Sequence, residues 1–225
     1  MQSLLHYMSL NVSWWKRVLS YLYPVRFKQA RGMNDIMIGL FLFRNEWQLA
    51  TTDALYSDGL RYKPLLTAFK ELTDKLPFIR SVLVLGAGIG SAVMILDKKG
   101  LDPSITMIDH DAVSLQWALE LFGEETLRRI TPVCADAKEY VQNSTLQYDL
   151  VIVDIFNGRE VPAFVFEEDF LINCRKCLNN GGAFVMNYIE NTKGDWRKVN
   201  EKISAVFPAN KVRQFDINYI VVATV

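Results

Sequence analysis

The 225 residues predict an α/β fold: a mostly parallel seven-stranded sheet with a C-terminal antiparallel strand, preceded by a small N-terminal β-ribbon. Three observations point to it. From Ser81 onward short apolar runs alternate with helical stretches, the pattern of a parallel sheet covered by helices. The first of those runs leads straight into Gly86-Ala87-Gly88-Ile89-Gly90 and then into a helix. The last two runs, Lys211 to Asp216 and Tyr219 to Val225, are too close in sequence to lie parallel, because a parallel connection needs about a dozen residues.

Each element follows in chain order. The first acidic residue is Asp35, whereas Lys16, Arg17, Arg26, Lys28 and Arg31 all precede it, so the N-terminal arm is basic. With Trp14, Trp15, Tyr21 and Tyr23 it suits an interfacial membrane helix, or an arm packed on its own domain or on a second subunit. From Ile36 to Leu49 two apolar runs flank Arg44-Asn45-Glu46, a polar triplet that closes a hairpin. A turn at Ser57-Asp58-Gly59 precedes a helix that starts near Pro64 and runs to about Leu76, where Pro77 stops it. This divides the chain into an arm and ribbon at 1–60 and a main domain at 61–225.

In the main domain the strands read Ser81 to Leu85, Ile105 to Ile108, Ile130 to Cys134, Asp149 to Val153 and Ala183 to Tyr188. Helices fall near Ser91 to Lys99, Ala112 to Leu121, Ala137 to Gln142 and Glu167 to Leu178, the last closed by Gly181-Gly182, and a further helix spans Asp195 to Phe207.

Composition narrows the function. Lys plus Arg equal Asp plus Glu at 25 each, so no global field gathers nucleic acid, and the expected partner is a small molecule. Three cysteines make no disulfide framework, which suits a reducing, cytoplasmic setting. The longest apolar stretch, Ile36 to Phe43, is far short of the ~20 residues a membrane-spanning helix takes.

The glycine loop lets backbone approach a ligand closely, and the helix after it favours a negative group. Its spacing is G-x-G-x-G, with Ser91 where a dinucleotide fingerprint has its third glycine, which disfavours a nicotinamide cofactor. The second strand ends at Asp109, about 20 residues on, where a carboxylate can take both ribose hydroxyls. His110 beside it can touch the ribose. Asp111 reads as the N-cap of the next helix. The third strand ends in Cys134-Ala135-Asp136-Ala137, whose aspartate can accept from an adenine amino group, and the fourth ends at Asp154. Ligands of open α/β sheets bind beyond the carboxyl ends of the strands, so the loop and three aspartates converge on one crevice. Cys174 and Cys177 lie in a helical pattern with no second pair and read as structural; Phe164, Phe166 and Phe170 read as burying against the sheet, with the loop before them a possible lid.

Together, Tyr56-Ser57-Asp58-Gly59 with Tyr62, the VLVLGAGIG segment, Met107 to Asp109, CADA and Tyr148 to Asp154 resemble the spermidine synthase-like branch of the class I S-adenosylmethionine-dependent transferases. Val84, apolar where most class I methyltransferases place an acid, agrees with that branch. The resemblance implies the Rossmann-like class I methyltransferase fold and a homodimer. It also implies S-adenosylmethionine or its decarboxylated form as cofactor, without metal. The cofactor would be held by Gly86, Ala87, Gly88, Gly90, Asp109, His110, Asp136 and Ala137, with Tyr62 on the substrate and Asp154 taking a proton from the attacking amine.

Departures from the family pattern bear on the acceptor. Where the family loop has an aspartate that helps hold the aminopropyl amine, this chain has Ile89; Y-Q-E reads Tyr62-Lys63-Pro64, and D-S-S-D-P reads Asp154-Ile155-Phe156-Asn157-Gly158. Burying a dication needs paired carboxylates. The residues therefore rank methyl transfer to an unidentified small acceptor first, aminopropyl transfer from decarboxylated S-adenosylmethionine to putrescine second, and nucleotide binding without turnover third.

Overall fold

The computed structural model describes residues 10–32, 35–52, 54–190 and 194–225; His6 lies outside them. The chain opens with a short helix, α1 (Trp14–Leu19), and a four-stranded antiparallel sheet in the order β1 (Val25–Arg31), β2 (Met37–Phe43), β3 (Glu46–Ala50) and β4 (Leu55–Ser57). The expected ribbon is its β2–β3 hairpin. The turn is tighter than the polar triplet implied, because Arg44 and Asn45 both take left-handed backbone and Glu46 already pairs with Phe43. Ser20, after α1, holds this tip: its carbonyl accepts from Arg44 N at 2.7 Å and its hydroxyl from Asn45 N at 3.0 Å. Val12 is buried in the core, so this part of the arm packs on its own chain, although Trp14, Tyr21 and Leu22 are exposed.

A 3-10 turn at Gly59–Arg61 leads into α2 (Lys63–Glu71), with Pro64 in the first turn, where its missing N–H costs nothing. The helix is shorter than expected; its end is followed by a separate 3-10 turn at Leu76–Phe78. The main elements follow as β5 (Ser81–Leu85), α3 (Ser91–Lys98), β6 (Ser104–Asp109), α4 (Ala112–Leu121), α5 (Glu124–Leu127), β7 (Ile130–Cys134), α6 (Ala137–Asn143), β8 (Tyr148–Val153), α7 (Glu168–Lys176), β9 (Leu178–Ile189), α8 (Asp195–Val206), β10 (Asn210–Phe215) and β11 (Asn218–Thr224).

The main sheet has the order β10-β11-β9-β8-β5-β6-β7. Strands β7, β6, β5, β8 and β9 run parallel, and β11 is antiparallel to both β9 and β10, which gives the reversed ending that the short hairpin required. Pro132 sits in β7 at the sheet edge, the place where a strand tolerates a residue without an N–H. Gly181-Gly182 do not close a helix. They lie within β9, where its register with β8 shifts between the Tyr148–Leu178 and Leu150–Ala183 pairs, and Gly181 has positive φ.

Alternation along β5 sends Val82 and Val84 to one face and Leu83 and Leu85 to the other, so the strand is buried on both sides. The first core is shared with the N-terminal sheet: Leu40, Leu42 and Trp47 belong to the same cluster as Phe69, Leu96 and Phe122. Cys174, Phe170 and Phe184 belong to the second. Among the described residues no helix is long and apolar enough to cross a membrane.

The backbone is tightest at Gly86. Its φ is +84°, and a Cβ there would stand 2.3 Å from the Asp154 carbonyl oxygen. Gly100 also has positive φ, +72°, but open space around it. Left-handed backbone alone costs a non-glycine residue about 1–3 kcal/mol, worth roughly 2–4 °C of Tm per kcal/mol in a chain of this size. Gly86→Ala should therefore lower Tm clearly more than Gly100→Ala does in the same calorimetric scan; equal losses would remove the close approach from the account.

Candidate functional site

Strands β5 and β8 lie side by side where the strand order reverses, with β6 and β7 to one side and β9 to the other. Crevices form beyond the carboxyl ends of strands at such a switch point. The glycine loop crosses it on a fixed backbone, because Gly86 N and Ala87 N both donate to the Ile108 carbonyl at 3.0 Å. Behind the loop stands the segment Tyr56 to Gly59. The Ser57 hydroxyl accepts from Ile89 N at 3.4 Å, and a Cβ at Gly88 would meet it at 2.7 Å.

Asp109, at the end of β6, is almost fully buried. One carboxylate oxygen accepts from Gly88 N at 2.8 Å and the other from Asp111 N at 2.9 Å. Burial raises its pKa above the usual range, and these two backbone donors oppose the rise. The His110 ring lies 3.8 Å from Asp109 and is nearly half exposed. Asp111 caps α4 as the sequence indicated, its carboxylate accepting from Val113 N and Ser114 N. Asp136 also acts as a cap: its Oδ1 accepts from Lys138 N at 2.7 Å and Glu139 N at 3.2 Å at the start of α6. It nonetheless lines, with Asp109, Ala135, Ala137 and Phe164, a cavity of about 300 Å³. Gly86, Gly88, Asp109, His110 and Asp154 line the adjoining part of the same crevice.

Asp154, just past β8, is partly buried, and its Oδ1 accepts from the Tyr62 hydroxyl and from Asn187 Nδ2, each at 2.9 Å. Asn187 is in turn fixed by Asn218, whose Nδ2 donates to the Asn187 Oδ1 at 2.9 Å. Burial pushes the Asp154 carboxyl up to about 6, with the Asn187 and Tyr62 donors holding it from rising further. Burial and the neighbouring carboxylate raise the Tyr62 hydroxyl well above its ordinary value, so Tyr62 remains a donor. Tyr62 and Asn218 also line a second cavity of about 330 Å³, together with Asp58, Arg61, Lys63 and Arg159. Tyr56 and Phe156 line both this cavity and the glycine-loop crevice. The carboxylate network thus forms part of the partition between two spaces.

Of the site residues read from the sequence, Gly86, Gly88, Asp109, His110, Asp136, Ala137 and Asp154 line the crevice and Tyr62 the second cavity, whereas Ala87, buried in the core, and Gly90, packed against Phe122, line none of the three cavities. The structure changes the meaning of Ile89, which is wholly buried in the core and lines none of these three cavities. Asn187 and Asn218 were not anticipated. The available signal was a polar residue inside the apolar run Ala183 to Ile189, since a buried amide there needs partners. Among the described residues no group of three or more His, Cys, Asp or Glu could hold a metal ion.

The raised Asp154 pKa is also a statement about stability. The folded protein holds this proton up to about pH 6, whereas an unfolded aspartate releases it near 3.8, so ionising Asp154 lowers stability as pH rises from about 4 to about 6. A shift of that size corresponds to about 3 kcal/mol. Asp154→Asn keeps an acceptor oxygen for Tyr62 and removes the charge. Urea unfolding should show the variant gaining on the parent by up to that amount between pH 4 and pH 8; a difference that does not change with pH would refute the assignment.

A family model described as the spermine/spermidine synthase domain matches residues 60–220. The polyamine aminopropyltransferase of Clostridium botulinum (strain Eklund 17B / Type B) is 29% identical over 171 residues, covering 72% of this chain and 57% of that protein. The N-terminal histidine N-methyltransferase of Emericella nidulans is 31% identical over 113 residues, 48% of this chain and 20% of that protein. The chain thus spans less than two thirds of the curated relatives it matches. Among solved structures, a probable spermidine synthase from Corynebacterium glutamicum superposes with a TM-score of 0.72 at 18% identity, covering 88% of this chain and 79% of that one. Human methyltransferase-like protein 13 in complex with SAH gives 0.60 at 22% identity, covering 72% and 78%. Both likenesses bear on the fold. With the family model spanning most of its length, the chain belongs to the spermine/spermidine synthase family.

Proposed function

We propose that the chain transfers an aminopropyl group from decarboxylated S-adenosylmethionine to a small amine, with Asp154 as the proton acceptor. The observation that carries this is the Asp154–Tyr62–Asn187 cluster, set between the glycine-loop crevice and a second cavity in a chain of this family. Relatives named polyamine aminopropyltransferase favour it over methyl transfer, which reverses the ranking drawn from the residues alone.

The crevice suits the nucleoside end of such a donor. Gly86 and Gly88 border it without side chains, and Gly86 lets the loop run close against the Asp154 backbone. In this reading Asp109 takes the ribose hydroxyls, with His110 beside it, and Asp136 and Ala137 border the adenine; that all four line one cavity supports it. The donor supplies a carbon activated by its sulfonium. Asp154 faces that crevice and is ionised above about pH 6, so it can draw the proton from an amine entering past Tyr62 and offset the charge developing on nitrogen.

Methyl transfer stands as a second reading because of one observation: the second cavity carries Arg61, Lys63 and Arg159 against Asp58 alone, and Asn157 stands where the family pattern has an acid. Incubation with decarboxylated S-adenosylmethionine and with S-adenosylmethionine, each with a panel of amines, and mass analysis of the products separates the two. Aminopropylated amine and methylthioadenosine are expected. Methylated product with S-adenosylmethionine alone would favour the second reading, and calorimetry showing that neither S-adenosylmethionine nor methylthioadenosine binds would end both.

Asp154→Asn should lower kcat by roughly 10²–10⁴-fold, the usual contribution of a positioned base, while methylthioadenosine affinity changes little. In the parent enzyme kcat/KM should rise with pH through about 6 and then level. A flat profile from pH 5 to 8 would remove Asp154 from the proton transfer.

A further inference from the structure

We propose that the second cavity binds a carboxylate, so that its ligand is an amino-carboxylate in place of a diamine; this rests on the aminopropyl-transfer reading above. Of the charged groups lining the cavity, three are cations, Arg61, Lys63 and Arg159, and one is an acid, Asp58. That acid is engaged: its Oδ1 accepts from Arg61 Nη2 at 2.7 Å and from Gln48 Nε2 at 2.9 Å. That ion pair ties Asp58 and Arg61 to each other, so the lining offers an incoming ammonium no further carboxylate and presents it with Lys63 and Arg159. Burying a second positive charge without a paired carboxylate is costly.

The same surroundings suit an anion in two ways. Lys63 is the first residue of α2, its ammonium 4.5 Å from the centre of the Phe215 ring. At that helix start no side chain caps the backbone N–H groups and no acid occupies the first turn, so the positive end of the helix dipole adds to the Lys63 charge. Tyr62 and Asn218, also in the lining, connect the cavity to Asp154, Tyr62 directly and Asn218 through Asn187. An amine directed there would form its bond to the donor's propyl carbon as the carbon–sulfur bond breaks. Methylthioadenosine would leave, and the proton would pass to Asp154.

A carboxylate can come from two sources: the far end of the acceptor, or the α-carboxylate of a donor that has not been decarboxylated. The test uses 4-aminobutanoate and putrescine, which share a four-carbon chain and differ in one terminal group, titrated calorimetrically into protein saturated with methylthioadenosine. A parallel titration compares S-adenosylmethionine with its decarboxylated form. Both are repeated in Lys63→Glu and Lys63→Gln, the second keeping the side-chain length without reversing charge.

The expected result is that 4-aminobutanoate binds the parent at least tenfold more tightly than putrescine, that Lys63→Gln narrows the ratio and that Lys63→Glu inverts it. If Lys63→Glu weakens S-adenosylmethionine alone, the carboxylate is the donor's. Preference for putrescine together with no preference for S-adenosylmethionine, or affinities for both carboxylates that Lys63→Glu leaves unchanged, overturns the proposal. Failure of the aminopropyl-transfer reading appears separately. In that case methylthioadenosine does not bind, or decarboxylated donor gives no product with any amine although the carboxylate preference holds.

Discussion

Placing the Asp154 carboxylate out of water is the constraint on which the arrangement of this chain turns. A buried carboxylate persists only if donors replace its lost hydration. The two that do so come from distant parts of the sequence, Tyr62 from the segment before the main sheet and Asn187 from its fifth parallel strand. Register supplies one of them: Val153 pairs with Met186, so the next positions, 154 and 187, are neighbours at the carboxyl ends of their strands. Packing supplies the other. Tyr62 precedes α2, whose buried Leu65, Ala68 and Phe69 join the core that also holds Leu40 and Trp47 of the small sheet. The N-terminal sheet thereby bears on the position of a carboxylate that none of its strands contains.

The lead-in motif has a similar explanation. Its four residues each secure a different piece of the site. Tyr56 accepts from Gly158 N at 2.7 Å and so ties down the loop after Asp154; Ser57 backs the glycine loop; Asp58 pairs with Arg61. Gly59 has positive φ, and a Cβ there would stand 2.9 Å from the Glu46 carboxylate. A run that reads in sequence as a turn is a bracket between the two sheets.

The parts of the fold legible in the sequence are those where one physical signal dominates. β5 and β8 are buried on both faces and leave continuous apolar runs; Asp111 precedes a helix it caps; a hairpin is forced by the short link between β10 and β11. β1 escaped notice because its exposed positions carry Arg26, Gln29 and Arg31 and its partly buried ones are mixed, so no alternation stands out. The start of β9 reads in sequence as a helix end because Gly181-Gly182 signal termination equally well in either setting. In the site, the carboxylates at strand ends could be placed from spacing. Their hydrogen-bond partners could not, because Asn187 and Asn218 meet only through antiparallel pairing of β9 with β11.

Ile89 shows how position in a motif differs from position in space. A residue between two loop glycines is expected to face the ligand, yet the positive φ of Gly88 and Gly90 turns the Ile89 side chain into the core, and a substitution there does not by itself change what either cavity displays. The charge pattern of the second cavity has another origin, in the segment from Asp58 to Lys63 and the loop carrying Arg159. The crevice residues Gly86, Asp109 and Asp136 instead sit at or just past the ends of β5, β6 and β7, the first two tied to the sheet by backbone N–H donors. Because the two sets belong to different elements and share little beyond Tyr56, Phe156 and the Asp154 network, substitutions can recast the second cavity while the strand-end frame of the crevice stays in place. That separation lets the crevice and the second cavity vary independently on one scaffold.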